Sequence, residues 1–151
     1  MKYNTASPYF FKDDIKFIIK NLKQILNGKS LLSMGKFVNK FEKNYAKFNK
    51  SKYSIVTSSG TSALEIILKS LNIGINDEVI IPAQTFIATA TSIINVGAKP
   101  VFSEVDENFL LDFNQFQKLI NKKTKAVILV HYCGLIHEKI FEIKKILNKK
   151  K

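Results

Sequence analysis

Apolar residues recur at helical spacing through the first third of the chain. Over residues 13–27, Ile15, Ile18, Ile19, Leu22, Ile25 and Leu26 form one stripe that stops at Gly28, the pattern of an amphipathic helix with a glycine stop. Residues 31–35 read as a turn or short extended piece. Residues 36–49 then place Phe37, Val38, Phe41, Tyr45 and Phe48 on one face of a second helix. No strand pattern precedes these helices, so residues 1–50 read as a helical lead-in that packs on a sheet or on a partner subunit.

From Tyr53 onward the pattern alternates. Strands are predicted over residues 53–57, 79–81, 100–105 and 126–131, and the last is a near-continuous apolar run of the kind buried on both faces. Between and after them, helices are predicted over residues 61–71, 85–95, 112–120 and 138–148. Gly74 and Gly97 stand as stops, Pro82 closes a strand, and Asp112 is placed to cap a helix. Four strands alternating with helices predict an α/β fold with a mainly parallel sheet over residues 51–151. Ligands of such sheets sit beyond the C-terminal ends of the strands. That edge gathers residues 57–62 with Gln84, Thr85, Phe86, Asp106 and His131.

The stretch Thr57-Ser58-Ser59-Gly60-Thr61-Ser62-Ala63-Leu64 joins a predicted strand to a predicted helix. A helix start leaves backbone N–H groups without partners, and the helix dipole favours an anion there. Gly60 allows close backbone approach, and Ser59, Thr61 and Ser62 add hydroxyl donors. Two readings stand at this point. Either Gly60, Thr61 and Ser62 hold a phosphate, or a serine merely caps the helix, since Ser62 and Glu65 have capping-box spacing.

Composition narrows the choice of function. The chain has 151 residues, 46% hydrophobic and 24% charged, enough for one domain with a core. No apolar run reaches membrane-span length, and residues 1–8 contain no apolar signal core, so neither membrane nor export is expected. Cys133 is the only cysteine. It is expected to pack rather than react, and a lone cysteine fits a reducing cytoplasm. The net charge of +12 raises nucleic acid, but all 24 basic residues are lysines, spread along the chain without interleaved aromatics. Without the guanidinium fork or a stacking platform, nucleic-acid binding is not expected. No dinucleotide or nucleoside-triphosphate glycine motif occurs. His131, His137 and Cys133 lack the fourth ligand and the spacing of a zinc set, so no metal is expected.

Ser59-Gly60-Thr61-x-Ala63-Leu64, Gly74-x-x-Asp77-Glu78-Val79-Ile80-x-Pro82, Thr85-Phe86-x-Ala88-Thr89, Gly97-Ala98-x-Pro100-Val101-Phe102 and Val130-His131-x-x-Gly134 resemble, in order and spacing, the DegT/DnrJ/StrS family of sugar aminotransferases. The earlier Met34-Gly35-x-x-Val38-x-x-Phe41-Glu42 resembles that family's lead-in. Ser103-Glu104-Val105-Asp106 matches in part, because the family usually has Asp where Glu104 stands. The resemblance implies the N-terminal half of the fold type I large domain of pyridoxal-phosphate enzymes, with a site at a homodimer interface. It implies amino transfer, usually from glutamate, to a nucleotide-linked keto sugar. It assigns Gly60, Thr61 and Ser62 to the phosphate of pyridoxal 5'-phosphate and Phe86 to the face of its ring, against ordinary core packing for Phe86. His131 lies near the ring or bonds to backbone, and Glu104 and Asp106 orient loops.

The family chain is more than twice as long. The resemblance places its cofactor-bonding Lys, its ring-nitrogen Asp and its small domain beyond Lys151, so no catalytic residue is expected in residues 1–151. The reading is then a truncated chain, inactive alone. The alternatives are half of a split enzyme or a non-enzymatic remnant that binds phosphate or a partner.

Overall fold

Val79, Ile80 and Ile81 have no solvent access, and they form the middle of strand β1 (Glu78–Pro82). Strand side chains alternate between faces, so a strand buried along its whole length must be covered on both. Val79 and Ile81 pack with Leu68, Ile73, Ala90, Ile93 and Ala98. Ile80 packs oppositely, with Leu111, Phe116 and Ile143. The computed structural model that shows this describes residues 8–148, in two units that part between Val56 and Thr57. Each is described by itself.

The first unit contains α1 (Lys12–Leu26) and α2 (Lys36–Phe48). Asp13 and Asp14 open α1 and Lys23 lies in its last turn, which suits the helix dipole. No residue of α1 is buried, and its Ile15, Ile18, Ile19, Leu22 and Leu26 are all exposed. The sequence predicts a strand over residues 53–57, and the structure does not form one. A strand needs a ladder partner, and none of the described strands pairs with these residues. The Val56 N–H donates instead to the Glu42 carboxylate at 2.9 Å, and Tyr53 and Ile55 stay exposed.

The second unit runs α3 (Gly60–Ser70), β1, α4 (Ala88–Asn95), β2 (Lys99–Ser103), α5 (Phe113–Leu119), β3 (Thr124–Val127), a 3-10 turn (Tyr132–Gly134) and α6 (Ile140–Asn148). The described sheet therefore has three strands rather than four, in the order β2-β1-β3, and both pairings are parallel. Ile80 lies opposite Val101 on one side and Val127 on the other. The predicted fourth strand, residues 126–131, keeps its ladder only as far as Val127, with one further bond from Ile128 N–H to the Ile80 carbonyl at 2.9 Å. Helices α3 and α4 supply one apolar layer, and α5 and α6 the other.

Helix ends follow local chemistry. Gly97 (φ +86°) ends α4, with its own N–H on the Ile94 carbonyl and the Ala98 N–H on that of Ile93. At α3 the sequence points to Gly74 as the stop, but Asn72 (φ +56°) takes the left-handed position two residues earlier. The Ile73 N–H then reaches the Leu68 carbonyl, and the two side chains join one cluster. Gly74 instead donates its N–H to Asp77. Asp112 caps α5 as its sequence predicts, accepting from the Gln115 N–H at 2.6 Å.

Truncating the two faces should be costly and truncating the surface should not. Ile80→Ala and Phe116→Ala are each expected to lose about 2–5 kcal/mol, the usual range for buried large-to-small changes. Ile55→Ala, at an exposed position, should stay within about 0.5 kcal/mol. Denaturant titration of the three variants checks the order.

Candidate functional site

Helix α3 rises about 16 Å over its eleven residues, close to the length of five-residue β1. Its C-terminal end leads through a short turn into the start of β1, and Leu68 packs against the strand. The helix must therefore run against the strand direction. Its first residues, Gly60 to Ser62, stand at the C-terminal edge of the sheet. Helix α4 leaves β1 at that same edge, which places Phe86 there, and His131 follows β3 there.

Connections at this edge diverge. The chain leaves β1 for α4 on one face of the sheet and leaves β3 for α6 on the other. Neighbouring parallel strands whose connections part in this way open a crevice between them, the usual ligand position in such sheets. The sequence-predicted residues stand at this edge by topology. Among the described residues no hydrogen bond joins any two of the three places.

At the start of α3, Ser59 is the cap. Its hydroxyl accepts from the Ser62 N–H at 3.1 Å, and its carbonyl accepts from the Ala63 N–H at 3.1 Å. The Ser62–Glu65 capping box that the spacing allows does not form. Glu65 instead accepts from the Asn95 side chain at 2.7 Å, tying α3 to α4. Ser62 Oγ lies 3.2 Å from Ser58 Oγ and 3.1 Å from Ser59 Oγ, so the clustered hydroxyls include Ser58, which the sequence reading placed in the stretch but did not name as a donor. The adjacent Ser-Ser pair before Gly60 was the available signal. The N–H groups of Gly60 and Thr61 occupy the first two helical positions, which have no intrahelical acceptor. No other hydrogen bond among the described residues takes them. A Cβ built on Gly60 would meet nothing within 4 Å, and no acidic residue lies in the first turn. Gly60 is exposed and Thr61 half-buried.

Phe86 is 76% exposed and belongs to neither core cluster of the described residues. Around it, Thr85 Oγ1 lies 2.8 Å from Thr89 Oγ1, and the Phe86 carbonyl accepts from the Thr89 N–H at 2.9 Å. His131 is exposed, and its carbonyl accepts from the Gly134 N–H. The histidine bonded to backbone is His137, 6% exposed, whose Nδ1 accepts from the Lys139 N–H at 3.0 Å. Its Nε2 therefore carries the proton and donates to the Leu111 carbonyl at 2.8 Å. Asp106 folds the loop after β2, with Oδ1 accepting from the Asn108 and Leu110 N–H groups. Glu104 is exposed, and its carbonyl accepts from the Asp112 N–H. Cys133, expected to pack, is exposed in a left-handed turn (φ +50°). Among the described residues no three His, Cys, Asp or Glu side chains gather to hold a metal, and no helix is long and apolar enough to cross a membrane.

The family profile described as the DegT/DnrJ/EryC1/StrS aminotransferase family matches residues 12–151. The chain belongs to that family. A GDP-perosamine synthase of Vibrio cholerae is 38% identical over 116 residues, 76% of this chain and 32% of that protein. The solved aminotransferase of Psychrobacter cryohalolentis superposes with a TM-score of 0.83 at 31% identity, covering 95% of this chain and 36% of that one. The putative sugar aminotransferase Spr1654 of Streptococcus pneumoniae, in its PMP-form, superposes at 0.85 with 27% identity, covering 98% and 37%. This DegT-type chain thus spans about a third of the length of the relatives it matches, and its fold is that of part of their structure.

A phosphate site and a plain cap respond differently to added anion. On adding phosphate, the amide signals of Gly60 and Thr61 should move first, and that of Ser62 less, because its N–H is already bonded to Ser59. Ser59→Ala should cost about 1 kcal/mol of stability by loss of the cap. Two-dimensional nuclear magnetic resonance with phosphate, and a melt of the variant, check both; shifts centred elsewhere would remove the assignment.

Proposed function

We propose that this chain is the cofactor-seating part of a pyridoxal-phosphate-dependent aminotransferase acting on a nucleotide-linked keto sugar. The observation that carries the reading is the open N–H pair at Gly60 and Thr61, at the C-terminal edge of a parallel sheet in a DegT-type chain. The residues fit a phosphomonoester. Two backbone donors have no acceptor, the helix dipole is positive there, space is open at the Gly60 Cβ position, and no carboxylate in the first turn repels an anion.

In this proposal Gly60 and Thr61 donate their N–H groups to the cofactor phosphate. Ser62 contributes through its hydroxyl, while its N–H keeps the helix start in place through Ser59. Phe86 offers a flat apolar face for an aromatic ring. His131 stands at the same edge and contributes from the side of β3. Bound pyridoxal phosphate supplies the electron-withdrawing ring on which amino transfer depends. By family resemblance, the Lys that bonds the cofactor and the Asp that pairs with its ring nitrogen are not among residues 1–151. Glutamate as amino donor, a homodimer and a cytoplasmic setting are part of the same proposal. Relatives named for perosamine and for UDP-linked glucosamine chemistry support its sugar class.

A second reading treats the chain as one half of a split enzyme, or as a non-enzymatic remnant that binds phosphate or a partner. What favours it is the number of large apolar side chains left exposed in the second unit, among them Ile66, Ile67, Phe102, Ile136 and Phe141. Such surface commonly marks a contact to be made.

Trapping tests the catalytic part. Pyridoxal phosphate with the 151-residue polypeptide, reduced with borohydride and mapped by mass spectrometry, should label many lysines weakly. Added glutamate should not convert the cofactor to its amine form. One dominant labelled lysine together with that conversion would show that the catalytic residues are present after all.

A further inference from the structure

The segment from Ala83 to Ile87 links β1 to α4 and carries the Phe86 ring on its outside. Few bonds hold it. Ala83 N–H reaches the Ser103 carbonyl at 2.8 Å, which fixes the start of the segment to the end of β2. Among the described residues, no hydrogen bond is donated by the backbone N–H groups of Gln84, Thr85, Phe86 or Ile87. The far end is held by the Phe86 carbonyl, which accepts from Thr89, and by the Ile87 carbonyl, which accepts from Ala90 and Thr91. Ile87, the residue before α4, already has helical angles but no side-chain cap.

One side-chain bond crosses this turn. Thr85 Oγ1 and Thr89 Oγ1 lie 2.8 Å apart, four residues from each other on either side of Phe86. Thr89 is only 6% exposed, and its carbonyl accepts from the Ser92 hydroxyl, so it is anchored in the layer that covers β1. Thr85 is half-buried. A hydroxyl held at 2.8 Å by an anchored partner restrains the residues between them, and the ring of Phe86 has no packing of its own to do so.

We infer that Thr85 and Thr89 are positioning residues for Phe86: their hydroxyl bond closes the turn that presents the ring at the C-terminal edge of the sheet. The inference rests on the proposed role of Phe86 for its consequence in binding. Its structural half stands on the turn alone. Valine has nearly the shape of threonine and lacks the hydroxyl, so Thr85→Val and Thr89→Val each break the bond from one side. Thr89→Ser restores a hydroxyl.

The test is amide nitrogen relaxation on the full 151-residue chain, with pyridoxal 5'-phosphate titrated into each variant. In both valine variants the Phe86 amide should become mobile on the fast timescale, while Ile80 and Ile93 stay rigid. Thr89→Ser should keep Phe86 rigid, and the double valine variant should be no worse than either single one. Affinity for pyridoxal phosphate should fall about fivefold in the valine variants, the effect of one ordinary hydrogen bond. Thr85 lies outside the core, so Thr85→Val decides the matter even where Thr89→Val weakens the fold. A Phe86 amide that stays rigid in Thr85→Val overturns the inference. If Phe86 loosens while affinity is unchanged, and Phe86→Leu also leaves affinity unchanged, the positioning role holds and the ring-facing role of Phe86 fails.

Discussion

Val79, Ile80 and Ile81 cannot reach water from either face of β1, and the rest of the second unit is arranged to meet that condition. Covering one face takes α3 and α4; covering the other takes α5 and α6. Because β1 pairs in parallel with both neighbours, the helices that follow the strands must carry the chain back to the opposite edge. The C-terminal edge is then the place where strand exits and helix starts collect. Burial of three residues thereby brings Gly60, Phe86 and His131 to one edge, though each lies in a different part of the sequence.

The chemistry at that edge comes from groups the fold leaves unused. The hydroxyl of Ser59 satisfies the Ser62 N–H, and Asp106, Asp112 and His137 each satisfy backbone groups in their own loops. The N–H groups of Gly60 and Thr61 are different, since helix geometry gives them no acceptor and Gly60 presents no side chain to cover them. Family membership supplies a phosphomonoester of the right kind. In the proposed reading, the third of its relatives' length that this chain spans includes the seat for that group.

Much of this was legible in the sequence, because helical stripes and buried runs are periodic and the helices fell within a few residues of their places. The strand predicted over residues 53–57 failed for a reason periodicity does not carry: a strand is defined by a partner, and Val56 found a carboxylate instead. Asn72 displaced Gly74 as a helix stop because asparagine also tolerates the left-handed region. At the site, the Ser59–Gly60–Thr61 stretch read correctly as a helix start, but which serine caps it depended on where the helix began. The Thr85–Thr89 bond has only a four-residue spacing as its signal, and many threonine pairs share that spacing without bonding.

The central claim is that the start of α3 is a phosphate seat and not only a capped helix, and Gly60→Pro tests it most directly. Proline suits the first helical position, Ser59 before it is extended as proline requires, and nothing lies within 4 Å of a Cβ there. The variant removes one N–H donor and leaves the helix intact. Phosphorus magnetic resonance of pyridoxal 5'-phosphate, titrated with wild-type and variant chain, reads the affinity, and a melt of each reads the fold. The account predicts weaker binding at unchanged or raised melting temperature. Equal affinity in the two chains would contradict it.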